Sequence, residues 1–154
     1  MFFLSCEYDT IKLGRIIGCV CIPGSLIYLQ GEIGTGKTTL CKGFLRSLGY
    51  SGSVKSPTYT LVEIYETERC IVYHFDFYRI RDVEELGHIG IMDYFNDGSI
   101  CVIEWADNGI PILPKSDITI NLIYLDDGRQ VVLESFSSLG NEILEKLSLQ
   151  GFYL

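Results

Sequence analysis

The segment from Gly31 to Thr38 combines glycines, a lysine and a threonine at a spacing that can bind a chain of phosphates. It reads Gly-Glu-Ile-Gly-Thr-Gly-Lys-Thr and matches the pattern G-x-x-x-x-G-K-[ST] at every fixed position. Glycines let the backbone curl so that successive N–H groups face phosphate oxygens, and Lys37 can reach the β- and γ-phosphates. The Thr38 hydroxyl is a ligand for Mg²⁺. The pattern predicts a nucleoside triphosphate site, whose expected binding residues are Glu32, Ile33, Gly34, Thr35, Gly36, Lys37, Thr38 and Thr39.

Two carboxylates follow apolar segments that are typical of buried strands. Asp76 comes directly after residues 71–75, and Glu104 comes directly after residues 100–103. A single acid at a strand end is usually a solvated side chain. In an open α/β sheet, however, ligands bind at the carboxyl ends of the strands, and Mg²⁺ beside a triphosphate needs a carboxylate nearby. We therefore expect Lys37, Asp76 and Glu104 to be the catalytic residues, with Thr38 and Glu104 as metal ligands.

The segment Ser56-Pro57-Thr58-Tyr59 places hydroxyl groups next to a proline that stiffens the backbone. Its hydroxyls could face a γ-phosphate or a water molecule, and the alternative is a simple loop that leads into a strand. Trp105, the only tryptophan in the sequence, follows Glu104 directly. It could lie beside the site or pack at the rim of the core.

The elements that must position these residues follow from apolar periodicity and turn signals. Strands and helices alternate along the chain, which indicates an α/β fold, and Asp126-Asp127-Gly128 is a hairpin signal between two further strands. We predict a single P-loop NTPase-like domain over residues 1–154, with a mixed central sheet, flanking helices and an antiparallel hairpin near the C-terminus. The expected strands are 26–29, 58–66, 70–75, 100–103, 118–125 and 130–134, and the expected helices are 10–19, capped by Thr10, 37–48 and 142–147.

Composition restricts the class of protein and its environment. The chain has 154 residues and a formal net charge of −8, which argues against direct binding of nucleic acid. No apolar run approaches the roughly 20 residues of a membrane span, so we expect no membrane partner and a cytoplasmic location. The six cysteines are expected to be small buried apolar side chains in a reducing compartment.

Other chemistries have weaker support in the sequence. Neither His74 nor His88 has a serine or cysteine at a spacing typical of a catalytic triad. A GTPase would need an Asn-Lys-x-Asp segment, which the sequence lacks. A P-loop kinase acting on a small molecule would need a lid rich in arginine, whereas the six arginines are scattered. A regulatory module that binds ATP without essential hydrolysis is the third alternative.

Several segments taken together resemble the TsaE family of small P-loop ATPases from bacterial tRNA threonylcarbamoyladenosine synthesis. The resemblance runs in order along almost the whole chain. It rests on the phosphate-binding segment and on more specific stretches, which are Ser56-Pro-Thr-Tyr-Thr-Leu-Val62, His74-Phe-Asp-Phe-Tyr-Arg79, Glu84-Glu-Leu-Gly87, Ile91-Met-Asp-Tyr-Phe95 and Ile103-Glu-Trp105. The stretch Thr10-x-x-Leu13-Gly14 near the N-terminus also agrees.

The resemblance implies a function and roles for individual residues. The chain would bind ATP with Mg²⁺, would act with a TsaD–TsaB complex, and would reach tRNA only through that complex, during modification of adenosine 37. Asp76 would act near the γ-phosphate, residues 56–60 would form a switch-like loop, and Trp105 would lie beside the site. Thr10 and Arg129 would lie near the adenine. Hydrolysis would be slow for the isolated chain and faster with its partners.

Overall fold

The computed structural model describes residues 1–151; residues 152–154, which the predicted single domain includes, lie outside the described residues. The strands are β1 (Phe2–Leu4), β2 (Leu26–Gln30), β3 (Val62–Glu66), β4 (Ile71–Asp76), β5 (Ser99–Glu104), β6 (Ile118–Leu125) and β7 (Gly128–Ser135). The α-helices are α1 (Glu7–Val20), α2 (Lys37–Ser47), α3 (Glu84–His88) and α4 (Ser138–Leu149). Two short 3₁₀ helices cover Ile91–Tyr94 and Ala106–Gly109.

All seven strands of the described chain form one sheet in the order β1-β7-β6-β2-β5-β4-β3. The four central strands β6, β2, β5 and β4 run parallel, and both edges of the sheet are antiparallel. Strands β6 and β7 form the predicted hairpin, in which Leu125 pairs with Gly128. The predicted α/β fold with a mixed sheet is therefore confirmed. Because the central strands are parallel, their carboxyl ends meet at one edge of the sheet.

The core lies on both faces of the central strands, because alternate side chains of a strand point to opposite faces. In β5 all six residues are buried: Ile100 and Val102 pack on the face covered by α1, α2 and α4, whereas Cys101 and Ile103 pack on the other face. A strand that is buried on both faces is apolar along most of its length, and in β5 the polar residues Ser99 and Glu104 lie at the two ends. Polar side chains at the ends of β4 and β5 are therefore fixed by the core that precedes them.

Helix α1 packs closely against α2, the helix that follows the phosphate-binding segment. A Cβ atom at Gly14 would lie 2.1 Å from the Leu40 carbonyl oxygen, and one at Gly43 would lie 2.1 Å from the Ile11 carbonyl oxygen. Only glycine permits this approach of the two backbones. The close contact fixes the position of α2, and with it the loop at the start of that helix.

The structure corrects the predicted starts of two elements and adds one strand. Helix α1 begins at Glu7 rather than behind a Thr10 cap, because the Asp9 carboxylate accepts hydrogen bonds from the Ser5 N–H and hydroxyl and closes the first turn. Thr10 lies inside the helix and is buried. Strand β3 begins at Val62 rather than at residue 58, since residues 57–60 form turns. Strand β1 was not predicted, because three residues are too short for a periodic pattern.

In the described part of the chain, no helix combines the length and the apolar character that crossing a membrane requires. The expectation for the cysteines is correct for Cys21, Cys41 and Cys101, which are buried. It is wrong for Cys6 and Cys19, which are exposed. Both exposed residues belong to the N-terminal part of the chain, where Cys6 occupies the position just before α1 and Cys19 lies on the outer face of that helix.

Candidate functional site

The loop between β2 and α2 has the backbone shape of a phosphate cradle. Gly31, Gly34 and Gly36 have φ angles of 138°, 82° and 107°, which are in the left-handed region that favours glycine. Gly36 precedes α2, so the unpaired N–H groups of the first turn of this helix lie next to the loop. A helix N-terminus with neighbouring free N–H groups attracts anions. The loop therefore offers backbone donors rather than side chains to a ligand.

Lys37 is buried at the first position of α2, and its ammonium group lies inside the curve of the loop. Its Nζ donates hydrogen bonds to the carbonyl oxygens of Gly31 at 2.7 Å and Glu32 at 2.9 Å. The same atom is 4.0 Å from Glu104 Oε2 and 5.5 Å from the centre of the Trp105 ring. A cation in this position is available to a phosphate group that enters the loop.

The β6–β7 hairpin supports the loop from the outside. The Tyr124 hydroxyl donates to the Ile33 carbonyl oxygen at 3.2 Å, and Arg129 Nε donates to the Thr35 carbonyl oxygen at 3.1 Å. The Arg129 guanidinium also lies over the Tyr124 ring, 4.3 Å from its centre. In a trans peptide the C=O and the next N–H point in opposite directions. Bonds to these two carbonyls therefore also orient the N–H groups of Gly34 and Gly36.

Asp76 and Glu104 are register partners at the carboxyl ends of the neighbouring strands β4 and β5. Both are buried, with 4% and 3% of their surface exposed. The Asp76 carboxylate accepts hydrogen bonds from the Thr58 hydroxyl at 2.9 Å and from the Tyr78 N–H at 2.8 Å. Both acids come at the end of strands whose burial fixes the backbone, so their carboxylates are held in place next to the loop.

The segment of residues 56–60 lies against Asp76 through its hydroxyl groups. Thr58 donates to Asp76, and the Ser56 and Thr58 hydroxyl oxygens are 2.7 Å apart. Leu61, which follows this segment, has a φ of 68°, an unusual conformation for a residue with a side chain. The Tyr59 side chain instead points to solvent, with 83% of its surface exposed, and the Arg79 guanidinium lies over its ring.

These groups surround a cavity of about 300 Å³, called the phosphate cavity below. Its lining includes parts of the phosphate loop, both strand-end acids, the segment of residues 56–60 and Trp105: Ile33, Gly34, Gly36, Lys37, Thr38, Thr39, Ser56, Thr58, Asp76, Tyr78, Glu104 and Trp105. Trp105 has a φ of 56°, so the chain turns sharply after Glu104. The sequence reasoning missed Tyr78, which contributes to the lining and packs on Trp105 with ring centres 5.0 Å apart.

A second cavity, of about 540 Å³, adjoins the first at Gly34, Gly36 and Thr39 and is called the hairpin cavity below. It is lined by residues from β1, α1, the loop and the hairpin: Leu4, Ser5, Cys6, Glu7, Thr10, Gly34, Thr35, Gly36, Thr39, Asp126, Asp127, Gly128 and Arg129. Thr10 and Arg129, which are 119 positions apart in the sequence, therefore line the same cavity. Among the described residues, the predicted site members Glu32, Pro57 and Tyr59 line neither cavity.

The residues fit a triphosphate with a bound Mg²⁺. Oxygen atoms are the ligands that Mg²⁺ prefers, and the phosphate cavity offers the Thr38 hydroxyl and two carboxylates. The cradle also requires glycine at its start, since a Cβ atom at Gly31 would lie 2.4 Å from the backbone carbonyl oxygen of Leu122. The combination of backbone donors, a lysine and buried acids is suited to phosphoryl chemistry.

Comparison with known families identifies the chain. A family model described as "Threonylcarbamoyl adenosine biosynthesis protein TsaE" matches residues 4–131, which is most of the sequence. The chain belongs to the TsaE family. The matched range includes the phosphate loop, both carboxylates, the segment of residues 56–60 and Arg129. The family resemblance predicted from the motifs is confirmed.

Individual TsaE proteins and a solved structure agree with this assignment. A protein from Haemophilus influenzae, named tRNA threonylcarbamoyladenosine biosynthesis protein TsaE, is 50% identical over 147 residues, covering 92% of this chain and 93% of that protein. A protein of the same name from Bacillus subtilis is 33% identical over 144 residues, covering 91% of this chain and 88% of that protein. The crystal structure of Bacillus subtilis YdiB matches with a TM-score of 0.80 and 26% identity, covering 97% of this chain and 94% of that one.

In this TsaE chain a buried cluster behind the phosphate cavity was not found from the sequence. His74 Nε2 is 2.9 Å from Glu104 Oε1 and 3.7 Å from Cys41 Sγ. Burial by itself lowers the pKa of His74, but the contacts with Cys41 and Glu104 raise it from 6.5 to about 10. Sequence spacing gave His74 no cysteine partner, because Cys41 lies 33 positions away on α2. Only the packing of α2 on β4 brings the two together.

Proposed function

We propose that this TsaE chain binds and hydrolyses Mg²⁺-ATP as an accessory subunit in the threonylcarbamoyladenosine modification of tRNA. One observation carries the proposal: the phosphate cavity brings a glycine loop, Lys37 and two buried strand-end carboxylates together around a space of about 300 Å³. A site that only stored a nucleotide would need the loop alone. Buried carboxylates next to the loop supply what hydrolysis needs, a metal ligand and a group that orients water.

In the proposed mechanism the loop and the carboxylates have different tasks. The loop N–H groups and Lys37 bind the phosphates and oppose the negative charge that develops during transfer. Thr38 and Glu104 would hold Mg²⁺, which would supply positive charge next to the phosphate oxygens. Asp76 accepts a hydrogen bond from the Thr58 hydroxyl, so the Asp76 carboxylate and Thr58 together face the γ-phosphate and the attacking water.

The hairpin cavity is the proposed site of the nucleoside. It shares the lining residues Gly34, Gly36 and Thr39 with the phosphate cavity, and its volume of about 540 Å³ is in the range of small-molecule sites. Thr10 and Arg129 line it, as the family resemblance implies for residues near the adenine. The hairpin that carries Arg129 also holds the Thr35 carbonyl, so one element contacts both parts of the proposed nucleotide site.

A slow intrinsic rate follows from the charges around the phosphate cavity. Of residues 1–151, no arginine lines this cavity, and Lys37 is its only basic side chain. Efficient phosphoryl transfer usually requires an additional cation, often an arginine from a partner. We therefore propose that partner proteins raise the rate. The same lack of arginine gives no support to a small-molecule kinase.

The proposed partners are a TsaD–TsaB-like complex and, through it, tRNA. The names of the relatives refer to tRNA threonylcarbamoyladenosine biosynthesis. A net charge of −8 disfavours direct contact with the tRNA backbone and favours docking on another protein. The cytoplasmic location expected from the sequence is part of the same proposal.

Steady-state ATP hydrolysis with Mg²⁺ tests the proposal, using the chain alone, with TsaD–TsaB, and with TsaD–TsaB and tRNA. We expect slow turnover alone, a rise with the partners, and loss in Lys37→Ala and Glu104→Ala. Turnover that does not respond to the partners would contradict the accessory role. Modification that continues when Glu104→Ala binds ATP without hydrolysing it would favour an ATP-gated regulatory module.

A further inference from the structure

His74 is a buried histidine with no role in the function proposed above, yet it contacts a proposed Mg²⁺ ligand. Only 1% of its surface is exposed, and it lines neither the phosphate cavity nor the hairpin cavity. It therefore cannot touch a bound nucleotide directly. Its Nε2 nevertheless lies 2.9 Å from Glu104 Oε1, which is a hydrogen-bond distance.

We infer that His74 is a positioning residue, which fixes the Glu104 carboxylate through one oxygen so that the other faces the phosphate cavity. The inference rests on the proposed function, because it assigns Glu104 to Mg²⁺. Hydrogen-bond partners of a metal-binding carboxylate orient the ligand before the metal arrives. Their removal typically weakens metal binding or activity by about 10- to 100-fold.

The register of the sheet explains why a histidine at this position reaches Glu104. Asp76 pairs with Glu104, and His74 precedes Asp76 by two positions on β4. Side chains two positions apart in a strand lie on the same face, so His74 is a diagonal neighbour of Glu104. Its imidazole lies on the core side of the carboxylate, and the cavity lies on the other side.

The two nitrogen atoms of the imidazole have different surroundings. Nδ1 is buried and has no hydrogen-bond partner among residues 1–151, whereas Nε2 faces an oxygen of Glu104. An ionised carboxylate only accepts hydrogen bonds, so Nε2 must carry a proton and donate it to Oε1. This assignment is the same for a neutral and for a charged imidazole. The bond therefore persists in both charge states of His74.

The two oxygen atoms of Glu104 are then distinguished by their neighbours. Oε1 accepts the bond from His74, and Oε2 is 4.0 Å from Lys37 Nζ, the ammonium group inside the loop. Carboxylate rotation would exchange these contacts and would place Oε1 away from its donor. His74 thus selects one orientation, in which Oε2 is the oxygen directed at the loop and its ligands.

Cys41 completes the setting as a packing contact. It lies four positions after Lys37 on α2, one helical turn along, and its Sγ is 3.7 Å from His74 Nε2. A thiol at this distance is a weak hydrogen-bond partner compared with a carboxylate at 2.9 Å. We therefore expect the orientation of Glu104 to depend on His74 and hardly at all on the sulfur of Cys41.

The test compares two substitutions of nearly equal shape. His74→Gln retains an N–H donor close to the position of Nε2, and His74→Met has similar length without a donor. Trp105 is the only tryptophan in the chain and lies beside Lys37, so its fluorescence reports ATP and Mg²⁺ binding without any turnover. The full chain is titrated with ATP in EDTA, and then with Mg²⁺ at saturating ATP. Hydrolysis is measured in parallel.

In His74→Met we expect the Mg²⁺ midpoint to rise by about 10- to 100-fold, with ATP affinity in EDTA changed by less than about 3-fold. We expect His74→Gln to remain within about 3-fold of the unsubstituted chain in both titrations, and Cys41→Ala likewise. Thermal unfolding verifies that each variant is folded. If His74→Met does not fold, His74→Asn replaces it, because its shorter amide cannot reach Glu104 Oε1.

Equal Mg²⁺ midpoints in the Gln and Met variants would overturn the inference and reduce His74 to a residue that only fills the core. If such equality is found while the unsubstituted chain hydrolyses ATP, this inference fails and the proposed function stands. If the unsubstituted chain responds to neither ATP nor Mg²⁺ and shows no hydrolysis, both fail together.

Discussion

The phosphate cavity has two walls that are built in different ways. The loop wall, residues 31–38, presents backbone N–H groups shaped by glycines, and its carbonyls are held from outside by Tyr124 and Arg129. The carboxylate wall presents the side chains of Asp76 and Glu104 at the ends of strands β4 and β5. Thr58 is hydrogen-bonded to Asp76, and His74 lies at hydrogen-bond distance from Glu104. One wall depends on local chain geometry, and the other depends on the packing of the whole sheet.

This difference in construction indicates that the two walls have different functions. A wall of backbone donors and one lysine binds any chain of phosphates, because it recognises charge and shape. A wall of buried carboxylates repels phosphates unless a metal ion lies between them, so it contributes to metal binding and to hydrolysis rather than to affinity. We therefore expect substitutions in the loop wall to change ATP affinity, and substitutions in the carboxylate wall to change metal binding and turnover.

The largest effect is expected from Lys37→Ala in the loop wall. It removes the only basic side chain that lines the phosphate cavity within residues 1–151. The ammonium group could then no longer donate hydrogen bonds to phosphate oxygens. We expect ATP affinity to fall by about 100-fold, as for two charged hydrogen bonds, and turnover to disappear. Isothermal titration calorimetry measures the affinity. The exposed Lys12→Ala is the control, and retention of normal ATP affinity by Lys37→Ala would refute the role of the loop wall.

Glu104→Gln changes the carboxylate wall and should separate binding from hydrolysis. The substitution keeps the size of the side chain and removes the charge that Mg²⁺ needs. We expect turnover to fall by about 100-fold or more, while ATP binds without Mg²⁺ at least as well as before, since repulsion is relieved. Steady-state hydrolysis and fluorescence titration in EDTA measure the two quantities. Glu134→Gln, on the exposed part of β7, is the control. Equal loss of ATP affinity in Lys37→Ala and Glu104→Gln would contradict the different roles assigned to the two walls.

Thr58→Val tests the support of Asp76 by the segment of residues 56–60. Valine has the shape of threonine and lacks the hydroxyl that donates to the Asp76 carboxylate at 2.9 Å. Because a bond to a charged group contributes about 1.5 to 3 kcal/mol, we expect turnover to fall by roughly 10-fold with little change in ATP affinity. Thr60→Val removes a neighbouring hydroxyl that does not line the cavity, and should leave turnover unchanged. Equal turnover in the two variants would mean that Thr58 does not position Asp76.

Tyr124→Phe tests the outer support of the loop wall. It removes the hydroxyl that donates to the Ile33 carbonyl at 3.2 Å, and it keeps the ring on which Arg129 lies. A neutral hydrogen bond contributes about 0.5 to 1.5 kcal/mol, so ATP affinity should fall by roughly 2- to 10-fold at unchanged turnover under saturation. Tyr8→Phe, on an exposed side chain, is the control. A fall in turnover without a change in ATP affinity would mean that Tyr124 supports the carboxylate wall and not the loop wall.

The smallest expected effect is the protection of one thiol from alkylation by bound ATP at pH 8. Burial raises the pKa of Cys21 and Cys101 to about 12, so only about 1 in 10⁴ of these thiols is ionised at this pH and both should remain unmodified. Cys6 and Cys19 are exposed and should react with iodoacetamide. Since Cys6 lines the hairpin cavity, ATP should slow its reaction by a few-fold and leave Cys19 unaffected. Mass spectrometry of the peptides follows both residues, and equal protection would argue against a nucleoside in that cavity.

The two walls also differ in how far the sequence predicts them. The loop wall is contiguous, so residue types and spacing alone predict its position between β2 and α2. Asp76 and Glu104 are predictable as strand-end acids, because each follows a segment typical of a buried strand, residues 71–75 and 100–103 respectively. Their register pairing, however, depends on which strands are adjacent in the sheet. The boundary of β3 was wrong because the contacts of Thr58 with Asp76 override the strand preference of residues 58–61.

The supports behind the walls could not be predicted from spacing. His74 and Cys41 are 33 positions apart, and Tyr124 and Ile33 are 91 positions apart. Their contacts arise only when α2 packs on β4 and when the hairpin folds against the loop. A buried histidine within a strand was the one sequence signal for the first contact, and it gave no indication of its partner. For Tyr124 an aromatic residue near a hairpin turn gives no such signal.

A crystal structure with Mg²⁺ and a non-hydrolysable ATP analogue would show whether the two walls together bind the nucleotide and its metal ion. We expect phosphates in the phosphate cavity, with the loop N–H groups and Lys37 on one side and Mg²⁺, held by Thr38 and Glu104, on the other. We also expect the nucleoside in the hairpin cavity near Thr10 and Arg129. Phosphates outside the loop, or a metal ion that contacts neither Thr38 nor Glu104, would contradict this arrangement.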